Sequence, residues 1–236
     1  GTAIERGLRV IIAGAGGAAG LNLVTGDNQT AAAGTVLTDS LVVVVNDGSG
    51  NAVSGADVSW TVTGGGAVSS TVVTTGADGR AAVQWTMGPV AGPQTVTASV
   101  AGLGGTPVVF HATATVGTAG TLTISTQPSS TAQSGVPLAQ QPALQLRDGH
   151  GNNVAQAGVA VTATLGSGPA GGTLTGSATA ATDATGLATF SGLGISGPGG
   201  SYTITFGGAG LSGVTSGTIT GAAGAATTLG IATQPS

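Results

Sequence analysis

The sequence predicts an all-β chain, two antiparallel β-sandwiches in tandem with an extra strand segment at each end. Three observations carry this. Apolar residues alternate with Thr, Ser or Gln at a period of two, which is the pattern of half-buried strands. Gly supplies 46 of 236 residues, and Gly pairs with Asp or Asn at the breaks between the alternating runs, where tight turns need positive φ. Finally, the first half of the chain repeats in the second, the mark of two copies of one folding unit.

The repeat defines the elements in order. Leu21-x-Leu23 recurs as Leu122-x-Ile124, Gly34-x-x-Leu37 as Gly135-x-x-Leu138, and Val43-x-Val45-x-Asp47 as Leu144-x-Leu146-x-Asp148, each pair 101 residues apart. Gly50-Asn51-x-Val53 and Gly151-Asn152-x-Val154 keep that spacing. Beyond Val58 and Val159 it changes: Gly79-x-Ala81-x-Val83 matches Gly186-x-Ala188-x-Phe190 at 107, and Leu103 matches Leu211 at 108. A six-residue insertion therefore falls within Gly166 to Ala180, read as a loop. Between the matches lie the strand patterns Val58-x-Trp60-x-Val62, Val83-x-Trp85-x-Met87 and Val96-x-Ala98-x-Val100, then Val159-x-Val161-x-Ala163 and Tyr202-x-Ile204-x-Phe206. The turns are Asn46-Asp47-Gly48, Gly64-Gly65-Gly66, Ala77-Asp78-Gly79 and Asp148-Gly149. Nowhere does a 3.6-residue stripe run for ten residues, so no amphipathic helix is expected. About seven short strands per hundred residues fit a sandwich. The domains expected are 20–117 and 118–224, with strand segments 1–19 and 225–236 outside them.

Composition excludes several functions. Charged residues are 5% of the chain, the four cations are Arg6, Arg9, Arg80 and Arg147, and the net charge is -4. Such a chain does not neutralise a phosphate backbone, so no nucleic acid is expected. There is no cysteine, hence no disulfide, thiolate metal site or redox pair. No lysine is present either, which removes P-loop, Schiff-base and Lys–Asn isopeptide chemistry. Mean hydropathy is +0.41, yet the longest apolar stretch, Val10 to Leu21, is mostly Gly and Ala and too short to span a bilayer. No membrane insertion is expected, and Gly1 to Ile4 lacks the charged start of a signal peptide.

The segments "NDGSGNAVSGADVSWTV", "TTGADGRAAVQWTMG" and "AGPQTVTASVAGL" of the first copy resemble the bacterial Ig-like modules of invasin- and intimin-type surface proteins. "TISTQPSSTAQSG" and "LRDGHGNNVAQAGVAVTATL" of the second resemble related modules of bacterial tandem surface arrays. The resemblance covers nearly all of 20–224 and rests on the turn D-x-x-G-N and the strand–turn–strand D-G-R-A. It implies tandem Ig-like domains that act as rigid spacers or adhesive tips, at the cell surface or outside the cell, and no catalytic residue.

Each candidate site has a structural alternative. Gly14-x-Gly16-x-x-Ala19 after "RVII", with Asp47 further on, imitates a dinucleotide-binding unit, which needs a helix opening at the glycines. The segment that follows has no helical stripe, so a strand is expected instead. Asp47 with Asn51, and Asp148 with Asn152, suggest calcium loops, but calcium takes six to eight oxygens and usually several carboxylates. Asx-type turns are the reading adopted. His111, alternating with Phe110, is expected on a solvent face, and His150 in a turn. Asp39, Asp57 and Asp78, considered as sources of a carboxylate pair for glycoside hydrolysis, have no counterparts in the second copy, where Asp183 sits three residues before Gly186. Trp60 and Trp85 fall at inward positions and are read as core rather than as sugar-stacking faces. Asn28-Gln29-Thr30 is a glycosylation sequon. No catalytic, cofactor or metal residue is therefore assigned, and no enzymatic activity is expected.

The function expected is that of a structural module of an extracellular bacterial fibre, stalk or adhesin. The rival is a module binding a host receptor, a cell-surface receptor or a glycan. Both ends bear on self-association. Residues 228–236, "TLGIATQPS", repeat 121–129, "TLTISTQPS", as the first strand of a further module. Residues 8–19, "LRVIIAGAGGAA", stand where "FHATATVGTAGT" precedes the second copy. Either these strands belong to neighbouring modules of one polypeptide, or they complete the sheets of adjacent subunits by strand addition.

Overall fold

The computed structural model describes residues 16–105 and 107–224. Every regular element among them is a strand. The chain divides after Thr115 into two compact units. The segments 1–15 and 225–236, with most of the two expected terminal strands, lie outside the described residues. The described part of the first segment runs straight into a strand at Gly20, so no helix opens at Gly16 and the dinucleotide-binding alternative falls.

The first domain contains β1 (Gly20–Thr25), β2 (Gln29–Ala32), β3 (Leu41–Asn46), β4 (Asp57–Val62), β5 (Ala67–Val68), β6 (Val72–Thr74), β7 (Arg80–Val83), β8 (Trp85–Thr86), β9 (Gly92–Val100) and β10 (Val108–Thr115). They form a three-stranded sheet β1-β3-β7, a five-stranded sheet β2-β10-β9-β4-β6, and a small pair β5–β8. Period-two alternation delivers the core. Leu41, Val43 and Val45 of β3 are fully buried, as are Val58 of β4, Val96 and Ala98 of β9, and Phe110 of β10. Trp60 and Trp85 are 3% and 0% exposed, and the Trp60 ring meets Phe110 at 5.8 Å between centroids. Both tryptophans are core, as their inward positions predict.

The second domain contains β11 (Thr121–Thr126), β12 (Thr131–Gln133), β13 (Val136–Pro137), β14 (Ala143–Arg147), β15 (Ala160–Ser167), β16 (Thr173–Thr175), β17 (Thr179–Ala181), β18 (Leu187–Thr189), β19 (Gly194–Ser196), β20 (Gly200–Gly208), β21 (Leu211–Thr215) and β22 (Ile219–Ala222). The layers correspond: β11-β14-β18 to β1-β3-β7, and β12-β22-β20 with β15 and β17 to the five-stranded sheet. Its core holds Leu144, Leu146, Val161, Ile204 and the ring pair Phe190–Phe206, centroids 5.3 Å apart.

Two features depart from the sequence reading. Residues 166–180 are not a free loop. They complete β15, form β16, which pairs with β19, and begin β17. The last strand is also different in the two domains. β10 runs unbroken for eight residues, whereas its counterpart is cut into β21 and β22 at 216–218. There Ser216 Oγ accepts the Ile204 N–H at 2.9 Å and donates to the Gly217 carbonyl at 2.8 Å. Upstream of the cut, β21 pairs antiparallel with β20 and parallel with β11, linking the two layers along one edge.

Candidate functional site

The residues singled out by the repeated D-x-x-G-N motif form one construction, present twice. Asp47 follows the end of β3. Its Oδ1 accepts the backbone N–H groups of Ser49 and Asn51, each at 2.9 Å. Its Oδ2 accepts the Asn51 side-chain amide at 3.1 Å. These are the local bonds of an Asx-type turn. A further donor comes from 31 residues upstream: the Gly16 N–H reaches Asp47 Oδ2 at 2.9 Å. Asp148 repeats the arrangement with His150 N–H, Asn152 N–H and the Asn152 amide. Its remote donor is the Gly117 N–H, also at 2.9 Å. Beside each clasp the incoming chain is held once more, by Ala19 N–H on the Asn46 carbonyl and Gly120 N–H on the Arg147 carbonyl. The carboxylate thus joins the incoming segment to the turn that closes the next hairpin.

Electrostatics follow from these donors. At Asp47 the Gly16 N–H, then the Asn51 side chain and backbone, lower the carboxyl from 3.8 to about 2. At Asp148, burial pushes the carboxyl upward. The Asn152 side chain and the N–H groups of Gly117, Asn152 and His150 outweigh it and hold the group well below the usual carboxylate range. Both oxygens of each carboxylate face N–H hydrogens, which is the wrong polarity for a cation. The Asx reading, rather than the calcium loop, describes the contacts. Among the described residues no three His, Asp or Glu side chains gather to hold a metal.

The other candidates are dispersed. Asp57 accepts the Thr74 hydroxyl at 2.6 Å, and Asp78 accepts the Arg80 N–H at 3.1 Å. Asp39 takes part through its backbone, its N–H donating to Gln29 Oε1. Asp183 receives the Thr185 hydroxyl and the Leu187 and Thr185 N–H groups, which lower its carboxyl. The carboxylates of Asp57, Asp78 and Asp183 each hold their own turn or strand pair. His111 stands on the solvent face of β10 with Nδ1 3.4 Å from Asp27 Oδ1, and His150 contributes its backbone to the Asp148 turn. Asn28, exposed, adopts φ +57° just before the edge strand β2.

Sequence reasoning missed one buried pair. The Thr75 hydroxyl donates to the Val53 carbonyl and accepts the Ala56 N–H, and Thr182 does the same between Gln156 and Val159. The two threonines are 107 residues apart, the spacing of the shifted repeat, and that was the available signal.

The model of the bacterial Ig-like domain (group 1) family matches residues 21–113. The first domain is a bacterial Ig-like domain. Among solved structures the chain is similar to the Escherichia coli adhesin FdeC, at 21% identity over 89% of this chain and 66% of that one, with a TM-score of 0.42. It is also similar to the Yersinia pseudotuberculosis adhesin InvE, at 21% identity over 85% of this chain and 58% of that one, TM-score 0.36. A third is the D00-D0 domain of intimin, at 16% identity over 85% and 98%, TM-score 0.41. The chain thus spans somewhat under two thirds of the FdeC and InvE chains. No curated protein sequence matches it.

For the Ig-like domain the clasp has a pH signature. A carboxyl whose folded value lies below its unfolded one adds stability above the unfolded value, and that contribution is lost as pH falls through the folded value. With Asp47 at about 2 against 3.8, the clasp's contribution to the first domain should be full down to about pH 4 and be lost between about pH 4 and 2. Both tryptophans of the chain lie in this domain, so their fluorescence in thermal melts follows it alone. Asp47→Asn should start less stable and show a shallower acid limb. Parallel acid limbs in variant and wild type would rule the clasp out as their origin.

Proposed function

We propose that this chain is a load-carrying spacer of a bacterial surface adhesin or stalk, built from tandem Ig-like domains. One observation carries the reading. In both domains a strand from the beginning of the fold lies parallel to the last strand, β2 beside β10 and β12 beside β22. With a strand from the beginning of the fold parallel to the last one, the chain enters that pair at one end and leaves it at the other. A domain threaded this way lengthens a stalk by its own length, where one with both ends together would hang from it as a side group. The clasped incoming segments, at Gly16 and Gly117, support the same role by tying the incoming chain to each domain. The Ig-like family of the first domain supports a bacterial setting.

The segments 1–19 and 225–236 are read here as the end of a preceding module and the beginning of a following one, or as strands shared between subunits. The internal repeat of 121–129 in 228–236 supports this. The test of the spacer reading is antibody labelling of the producing bacterium. Intact cells should label at their surface with an antibody against the first domain. Labelling only after the cells are broken open would overturn the proposal.

A further inference from the structure

The pairing of the second strand with the last has a mechanical consequence that differs between the domains. In the first, β2 and β10 match Gln29 with Ala112, Thr30 with Thr113, Ala31 with Ala114 and Ala32 with Thr115. Beyond the ladder, the Asn28 N–H donates to the His111 carbonyl at 2.8 Å and the Ala33 N–H to the Thr115 carbonyl at 2.9 Å. On its other side β10 makes seven pairs with β9, from Val108–Ala98 to Ala114–Gly92. Tension drawn along the chain acts first on β1, which is held to β3; once β1 has come away, it pulls the start of β2 and the end of β10 in opposite directions along one axis. The bonds between parallel strands lie across that axis, so they carry the load together instead of opening in turn.

The second domain has a shorter ladder with two flanking bonds of its own: the Thr220 N–H donates to the Ser130 carbonyl at 2.8 Å and the Ser134 N–H to the Ala222 carbonyl at 3.0 Å. β12 and β22 match three residues, Thr131–Thr220, Ala132–Gly221 and Gln133–Ala222. β22 makes three pairs with β20 and is severed from β21 by the break at 216–218. β22 is thus held by three pairs on each side, against four and seven for β10.

We propose that β2–β10 and β12–β22 are shear-loaded clamps, graded so that the second domain yields under tension before the first. The proposal rests on the spacer reading for its biological sense, but the clamp itself is a property of the folded chain. Forced unfolding reports the barrier to unfolding rather than equilibrium stability, so the two can be separated by mutation. The experiment pulls the full chain by its ends in single-molecule force spectroscopy. A flexible insertion of roughly 20 residues after Gly102 adds about 70 Å to the extended length of the first domain and marks its unfolding step.

The marked step should come at the higher force. Ala31→Pro, which places proline in the β2 side of the clamp, should bring that force down to about the level of the second domain. Val83→Ala, a core truncation 2% exposed in the wild type, should lower the melting temperature while leaving the marked force near its wild-type value. A marked step at equal or lower force overturns the grading. An unchanged force in Ala31→Pro, or an equal loss in Val83→Ala, overturns the clamp. If Ala31→Pro does not fold, the wild-type order of the two steps decides. Failure here leaves the spacer reading standing, since surface labelling tests that reading by itself.

Discussion

Asp148→Ala is expected to lower the melting temperature of the second domain by about 15 °C. The carboxylate is 2% exposed and receives the N–H groups of Gly117, His150 and Asn152 together with the Asn152 amide. Alanine removes the acceptor and leaves three backbone donors without it. At about 1 kcal/mol or more for each donor so treated, the loss is about 3 kcal/mol. A domain of about 100 residues loses roughly 4–8 °C for each kcal/mol. Asp148→Asn should recover little, because its amide nitrogen turns hydrogens toward hydrogens. The domains separate cleanly by probe: circular dichroism follows both, while the tryptophans report the first alone. The transition that tryptophan does not see should move and the other should stay. A shift under about 3 °C would mean that the clasp is held by its surroundings and not by the carboxylate.

Gly186→Ala should be more damaging still. Gly186 has φ +79°, and a Cβ there would stand 1.9 Å from the Val154 carbonyl oxygen. Left-handed backbone costs an alanine about 1–2 kcal/mol. The collision adds to this, because the obstacle is backbone held in place by Val154 N–H on the Leu146 carbonyl. The sum, about 4 kcal/mol or more, approaches the whole stability of a small domain. The second domain should lose its β circular-dichroism signal at room temperature while the tryptophan emission stays native. Gly192→Ala is the control. Its φ is +69°, but nothing lies within 4 Å of its Cβ position, so only the left-handed cost applies. Equal effects from the two would show that backbone conformation matters here and the close approach does not.

The strands and the identity of the core were legible in the sequence because they depend on local information. Alternation along β3, β4, β9, β14 and β20 placed Val43, Val58, Val96, Leu146 and Ile204 inside, and the tertiary structure buries all of them. The Asx turns were legible for the same reason, since Asp47 with Asn51 and Asp148 with Asn152 close rings of five residues. Gly186 was legible as a turn glycine, but the carbonyl that makes it irreplaceable comes from Val154, 32 residues away.

What only the tertiary structure decided lies at longer range. The Gly16 and Gly117 donors reach across 31 residues, and nothing in a glycine's local pattern says which acceptor its N–H will find. The insertion at 166–180 reads as a loop because its Gly, Ser and Thr content is that of a loop. It becomes strand because β19 and β20 offer open backbone partners. The division of the last strand is invisible to periodicity, since Val214 and Ile219 both carry the apolar signal of a strand. It is set by the Ser216 hydroxyl, which takes the Ile204 N–H in place of a ladder carbonyl. Periodicity tells a strand which face to bury. Only the closing of the sheet tells it which neighbour it will have.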